Sequence, residues 1–239
     1  MPKPIAASQD TQGFDNAEIG DGSLIEPDVC VGFRYHPDAG RTTIGRHAIL
    51  RKGTLIYGDV RAGDYFQTAY YTVIRPMVRI GDYCTIMNHS CIEGIVRIGD
   101  CVRIMSNVYI PSRTWFGDHV FVGPGVTFLN DRLPGRHPRT PVVRGATVED
   151  EVMIGGGSTI MAGIHIGKRS FIAAGAVVVR DVPPESFVKG VPGRIEPLPD
   201  ELNRDNDRGL TVQPTDFWHP DAPHPGPDIW PKYWNEPWS

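Results

Sequence analysis

From Ile44 to Phe128 an apolar or small residue returns at every sixth position. The rungs are Ile44, Leu50, Ile56, Ala62, Thr68, Ile74, Ile80, Ile86, Ile92, Ile98, Ile104, Ile110, Phe116, Val122 and Phe128. A second column of small or β-branched residues follows four positions behind, in Thr54, Val60, Val78, Cys84, Ser90, Val96, Val102, Val108, Thr114, Val120 and Val126. A period of six fits neither the 3.6 of an α-helix nor the 2 of an alternating strand, so each hexad must be one short strand and one turn. Gly-Asp pairs at Gly63-Asp64, Gly81-Asp82, Gly99-Asp100 and Gly117-Asp118 recur at eighteen residues, which is three hexads. Three sides therefore close one coil.

The fold this predicts is all-β: a left-handed parallel β-helix of triangular cross-section, its rungs turned inward and its coils stacked at about 4.8 Å. One coil cannot cover its own apolar face, so the repeat has to be long. Left-handed crossovers run against the usual rule for parallel connections, and the expectation rests on the repeat alone. The domain organisation follows: an N-terminal arm over 1–18, the β-helix over 19–195, and a tail over 196–239. Repeats begin at Ile19, Ile25 and Val31, and Tyr35 to Thr43 shifts the phase through the turn-forming His36-Pro37-Asp38-Ala39-Gly40. Residues 130–141 are a basic, Pro-containing excursion that cannot continue a strand ladder. Rungs resume at Val142, Val148, Ile154, Ile160, Ile166, Ile172 and Val178. The tail is rich in Pro yet holds Trp218, Trp230, Trp234 and Trp238, and that aromatic content predicts an extended strap that docks on its own or a neighbour's β-helix, with recognition of another protein as the alternative.

A net charge of −4 gives no reason to expect nucleic acid or an anionic membrane as partner. The first residues lack a basic segment followed by an apolar run, and no eighteen consecutive residues are apolar, so a cytoplasmic protein is expected. Cys30, Cys84, Cys91 and Cys101 form no CxxC and no Cys/His metal spacing; they are expected as reduced, mostly packing thiols, with no metal.

Four stretches late in the chain are more specific: Ile154-Gly155-Gly156-Gly157-Ser158-Thr159-Ile160, Gly163-Ile164-His165-Ile166-Gly167, Ala173-Ala174-Gly175-Ala176-Val177-Val178 and Lys189-Gly190-Val191-Pro192-Gly193-Arg194. With Val120-Phe121-Val122-Gly123-Pro124-Gly125-Val126-Thr127-Phe128-Leu129-Asn130-Asp131 before the excursion, this sequence resembles the hexapeptide-repeat acyltransferases. Within them it is most similar to N-acetyltransferases that acylate amino sugars carried on nucleotides. The resemblance implies a homotrimer, acetyl-CoA or another acyl-CoA as co-substrate in a cleft between adjacent β-helices, and a small-molecule acceptor.

The residues themselves supply candidates for that chemistry. Gly155, Gly157, Ala173, Ala174 and Gly175 leave backbone accessible to a narrow pantetheine arm, and Lys168, Arg169, Arg180 or Arg194 would meet phosphates. Glycine and alanine also suit tight repeat turns, which is the competing explanation for each. An attacking amine must shed a proton, and histidine is suited to take it. His89 stands in a polar strip with Tyr71 and Asn107, beside Tyr70, Asn88 and Ser106, and is the expected base, with Asn107 at its side and His137 as second choice. His47 and His119 read as turn residues and His165 as packing. Relatives of this kind often carry a His pair where this chain has Tyr70-Tyr71, which here is expected to stack on or bond an acceptor. Asn130, Asp131 and Arg132, at the root of the excursion, are the expected contacts to an anionic acceptor, although Asn-Asp is also ordinary turn chemistry. Two other classes compete: a zinc enzyme of the γ-carbonic-anhydrase type, weak because Glu93 stands where a second His is needed, and a non-catalytic trimeric scaffold. Transfer to oxygen instead of nitrogen also stays open.

Overall fold

A computed structural model describes residues 14–136 and 143–204. Short strands, most of two or three residues, stack into three sheets. The first face has eight strands, from Ala17–Ile19 to His165–Ile166; the third also has eight, from Cys30–Phe33 to Val177–Val178. The second has ten, from Leu24–Ile25 to Arg194–Pro197. Each strand pairs in parallel with its counterpart one coil on, as in Ile80↔Ile98, Ile86↔Ile104 and Ile92↔Ile110. This is the left-handed parallel β-helix that the period of six predicts.

Both sequence columns point inward. Ile56, Ile74, Ile92, Ile104, Ile110, Val122 and Phe128 are fully buried, and so are Val60, Thr72, Ser90, Thr114 and Val126 of the second column. The hydroxyls in that column are engaged at once: Thr54 Oγ1 bonds Thr68 Oγ1 at 2.8 Å and Ser90 Oγ donates to the Met105 carbonyl at 2.8 Å. Among the described residues no buried side-chain polar atom lacks a partner, as interior polar groups require.

The Gly-Asp recurrence has a specific cause. At the corner between the first and second faces, the Asp64 main-chain N–H donates to Asp82 Oδ1 at 2.8 Å, Asp82 to Asp100 at 2.9 Å, Asp100 to Asp118 at 2.8 Å and Asp118 to Asp150 at 3.0 Å. A Cβ on Gly63 would lie 2.0 Å from Asp82 Oδ1, so glycine is required ahead of each aspartate that donates to the next; Asp150, the last rung, follows Glu149. At the ladder's end, hydrogen bonds from the Arg46 guanidinium and Arg46 N–H hold the Asp64 carboxyl below the usual range.

Two excursions leave the rod at the corner between the third face and the next coil. The first, after Phe33, is closed by Asp59, whose Oδ2 accepts from Tyr35 Oη at 2.7 Å and from the Gly40 N–H at 3.1 Å. The second follows Phe128, and the rod resumes in register with Phe128↔Ile160, a separation of 32 residues instead of eighteen. Beyond the last coil the chain adds what the repeat does not announce: Ser186–Lys189 pairs antiparallel with Arg194–Pro197, and this hairpin covers the edge left by Phe171–Ile172. The N-terminal arm up to residue 13, Val142, His137, Arg139 and the tail from residue 205 lie outside the described residues.

All four cysteines are free. Burial pushes the Cys84 thiol up to about 12, and its Sγ donates to the Gly99 carbonyl at 3.0 Å. A thiol reagent is therefore expected to reach Cys30, Cys91 and Cys101 in the native protein and Cys84 only after unfolding; prompt native labelling of Cys84, read by mass spectrometry, would contradict this.

Candidate functional site

Left-handed residues recur coil after coil at the corners, as in His47, Tyr65, Tyr83, Cys101 and His119 at the first. The corner between the second and third faces differs in which residues hold that backbone: Gly53, Tyr71, His89, Asn107, Gly125, Gly157 and Gly175, with φ between 57° and 76°. Each donates its N–H to the turn below it, as His89 does to the Tyr70 carbonyl at 3.0 Å, Gly157 to that of Pro124 at 2.8 Å and Gly175 to that of Gly156 at 2.9 Å. Seven coils thus carry one straight column, bulky in its first half and bare in its second.

In the bulky half the Tyr71 ring stacks on the His89 imidazole, with centroids 5.4 Å apart and planes 9° from parallel. Its other face lies over Gly53, where an added Cβ would come 2.4 Å from Tyr71 Cδ1. Tyr71 nevertheless stays 53% exposed and Tyr70 40% exposed, so ring surface of both faces solvent beside His89. Beside this column Asn88 Oδ1 accepts from the Tyr70 N–H at 3.0 Å and Asn88 Nδ2 donates to Ser106 Oγ at 3.4 Å. The polar strip read from the eighteen-residue register is therefore a connected one. His89 is exposed, and among the described residues no carboxylate bonds its ring.

The bare half is an exposed strip of backbone, a channel only in that no side chain fills it. A Cβ built on Gly125, Gly157 or Gly175 meets nothing within 4 Å. Alongside, the main-chain N–H groups of Ser106, Gly156 and Ala174 make no hydrogen bond among the described residues, and Pro124 between them has none to give. Gly156 and Ala174 therefore present donors one coil apart, about 4.8 Å, with no side chain in the way. Donors so placed suit the amide and thioester oxygens of an extended chain.

Not every predicted contact belongs here. A Cβ on Gly155 would strike the Ala174 nitrogen at 2.4 Å, so Gly155 is small to let coils approach, not to admit a ligand. Ala173 occupies the equivalent position one coil on, and its carbonyl accepts from Ser158 Oγ at 3.0 Å. Of the predicted cations, Lys168 and Arg169 lie at the first corner and pair with Glu151 at 3.6 and 2.8 Å; they do not serve this channel. Arg180 follows Val177–Val178 at the third corner. Arg194 stands opposite Lys189, at the end of the second face that leads to the channel. Gly125 and Gly156 are the residues that sequence reasoning missed, although the eighteen-residue step from Asn107 lands on Gly125.

The root of the excursion lies at the third corner, and one chain does not bring it to His89. Asn130 Nδ2 donates to Ser112 Oγ at 3.0 Å, and the Asn130 carbonyl accepts from the Arg144 N–H at 2.8 Å. Asp131 Oδ1 accepts from the Leu133 N–H at 2.7 Å, and Arg132 Nε donates to the Ala162 carbonyl at 3.0 Å. These side chains pin the excursion to neighbouring coils. His165 is not a packing residue either: half-exposed, its Nε2 lies 2.9 Å from Glu149 Oε1. His47 stacks on Tyr65 and Tyr65 on Tyr83, a first-corner ladder of rings. No group of three or more His, Cys, Asp or Glu among the described residues is placed to hold a metal ion, and no helix among them is long and apolar enough to cross a membrane.

Residues 145–180 match the family model for the bacterial transferase hexapeptide (six repeats). The chain is 43% identical over 81 residues to a serine acetyltransferase of Mycobacterium tuberculosis, covering 33% of this chain and 32% of that protein. It is 44% identical over 64 residues to a 2,3,4,5-tetrahydropyridine-2,6-dicarboxylate N-acetyltransferase of Brevibacillus brevis, covering 27% of each. It thus spans about a third or less of these relatives' length. A UDP-N-acetylglucosamine acyltransferase from Campylobacter jejuni has the same fold, with a TM-score of 0.62 and 22% identity over 77% of this chain and 71% of that one. The chain thus carries the transferase hexapeptide repeat, and its named relatives are acetyltransferases.

Proposed function

We propose that this protein is an acyl-CoA-dependent acyltransferase that moves an acetyl or similar acyl group to the amine of a small anionic acceptor, with a nucleotide-linked amino sugar as the leading class. The observation that carries the reading is the second-corner column, where a bare channel with unpaired N–H groups runs in line with an exposed histidine. Gly125, Gly157 and Gly175 leave room for the pantetheine arm, the Gly156 and Ala174 N–H groups bond its oxygens, and Arg194 lies toward the end where a phosphate would sit. From Gly157 to His89 is three coils, about 14 Å.

The acceptor amine attacks the thioester carbonyl, forming a C–N bond and a tetrahedral oxyanion that a main-chain N–H of the corner stabilises. His89 takes the proton lost by nitrogen. Collapse breaks the C–S bond, and the departing thiolate is protonated as the amide is released. Tyr71 holds the imidazole by stacking, and Asn107 is the next residue of the column on the channel side. Tyr70 lies beside His89 in the same chain, whereas Asn130, Asp131 and Arg132 would reach an acceptor only if a second copy brings the third corner of one chain to the second corner of another, and a homotrimer is the assembly we assign.

Calorimetric titration tests this reading. Acetyl-CoA is expected to bind saturably at about one site per chain, and Ala174→Leu, which fills the channel at an exposed residue of ordinary backbone, is expected to weaken it about tenfold or more with melting unchanged. An absence of binding at millimolar concentration would instead favour the non-catalytic scaffold.

A further inference from the structure

The outward position of the first face carries a column of charge that the rest of the rod does not answer. Arg61, Arg79 and Arg97 stand in register on consecutive strands, at about 4.8 Å spacing. All three are exposed, and none makes an ion pair among the described residues. Arg79 donates only to the main-chain oxygens of Asp59 and Val78. Like charges placed opposite one another destabilise a sheet, and other arginines of the rod are paired: Arg75 with Glu93 at 3.3 Å and Arg169 with Glu151 at 2.8 Å. The aspartates of the neighbouring corner do not neutralise the column. Asp64 pairs with Arg46, and Asp82, Asp100 and Asp118 each give one oxygen to a main-chain N–H of the coil before. The next rung after Arg97 is Trp115, 57% exposed. A flat sheet face thus offers three guanidiniums and an indole in one line.

The described chain ends beside this face. Asn203 Oδ1 accepts from Arg169 Nη2 at 3.0 Å, in the first corner just after His165–Ile166, the last strand of the first face. Down that face from His165, Trp115 is two coils away and Arg61 five, about 24 Å. Residues 205–239 lie outside the described residues, and their sequence supplies what the column lacks. They hold six acidic residues against Arg208 and Lys232, and four of the chain's five Trp, the fifth being Trp115. Carboxylate and indole come two positions apart in Asp216/Trp218, Asp228/Trp230 and Glu236/Trp238, a spacing that puts both on one side of an extended chain. A guanidinium pairs with carboxylate and also stacks on indole, so one column of arginines takes both. A polyanion without aromatic groups would use only its charge. Trp218 stands fourteen residues beyond Arg204 and in extended chain reaches about 46 Å, well past Arg61.

We infer that the first face is the seat of the chain's own C-terminal segment, residues 205–239, its carboxylates and indoles set on Arg61, Arg79 and Arg97 and its aromatic part against Trp115. The same chain is favoured over a second copy because the segment starts at the corner that borders the face. A segment so tethered meets the column at about millimolar effective concentration, and weak single contacts then suffice. The assembly proposed above joins second and third corners and makes no demand on this column.

Limited trypsin digestion of the full chain, with mass spectrometry at Arg208 and Lys232, provides the test. Arg79→Glu combined with Arg97→Glu is expected to speed cleavage after Lys232 about tenfold, since cleavage tracks the undocked population. Asp216→Asn combined with Asp228→Asn and Glu236→Gln is expected to do the same, and it leaves the rod untouched and creates no trypsin site. Raising sodium chloride from about 0.05 to about 1 M should release the segment of the unmodified chain, measured against cleavage of a free peptide. Dilution should change nothing. The inference is overturned if parent and variants are cut at one rate, if salt has no effect, or if protection is lost on dilution, which would give the segment to a neighbouring copy. It is overturned equally if the column binds polyphosphate while the parent's segment is cut as fast as the variants', which would give the face to a free polyanion. Acetyl-CoA titration reads the second corner and is expected to be unchanged in all of these variants.

Discussion

Replacing His89 with alanine is expected to lower kcat for acyl transfer by about 10²- to 10⁴-fold, the usual range for losing a general base, with little change in acetyl-CoA affinity. The two effects separate because the column separates them. His89 sits in its bulky half, three coils from Gly157, and the channel is built of glycine and main chain that the substitution does not touch. Its side chain is exposed and its only ring contact among the described residues is Tyr71, so folding should hardly notice the change. The informative outcomes are three. A large fall in kcat with binding intact assigns the base. A fall in both would mean that the histidine shapes the channel. Unchanged turnover would move the base elsewhere, with a second subunit's third corner as the first place to search. Tyr71→Ala sharpens the assignment: losing the stacked ring should disorder the imidazole and lower kcat with acetyl-CoA affinity unchanged, whereas a merely structural Tyr71 would change melting and leave kcat alone.

How much of this was legible beforehand follows from what a period can encode. A six-residue rung column states which side chains point inward, so the core from Ile44 to Phe128 and its resumption after the excursion could be read directly. The eighteen-residue step also placed Tyr71, His89 and Asn107 in one strip, because residues one coil apart are neighbours in space. What the period does not encode is contact between coils. Gly155 and Gly157 look alike in sequence; a Cβ on the first would hit the next coil, and a Cβ on the second would meet open space. Arg169 looks like a free cation until its coil is laid on Glu151. Asn130 and Arg132 look poised for a ligand until Ser112 and the Ala162 carbonyl are found beside them. Insertions hide more. The step from Gly125 to Gly157 is 32 residues, so the bare channel crosses the excursion and is not visible to eighteen-residue arithmetic.

That crossing makes Phe128 the residue on which the two halves of the rod depend, and Phe128→Ala is expected to cost about 3–5 kcal/mol of stability. The ring is fully buried and meets Phe116 edge to face at 5.3 Å and 82°. It is also the last rung before the chain departs, paired in register with Ile160 when the chain returns. Truncation leaves a cavity at the junction where the chain departs from the rod and returns to it, joined there by strand pairing across the excursion, and flanking side chains fixed in their own rungs have little freedom to fill it. In a rod whose coils contact only their neighbours, stability is a sum of local terms, so weakening one interior junction uncouples its two sides. Calorimetry of the variant should therefore show more than a lower melting temperature: the single transition should broaden or split, one component belonging to the coils before Phe128 and the other to those after it. Ile56→Ala, an equally buried rung far from the excursion, provides the contrast and should lower stability without splitting the transition. If both variants melt as one unit, the excursion is not a weak junction, and the rod transmits stability across it as well as through any other coil.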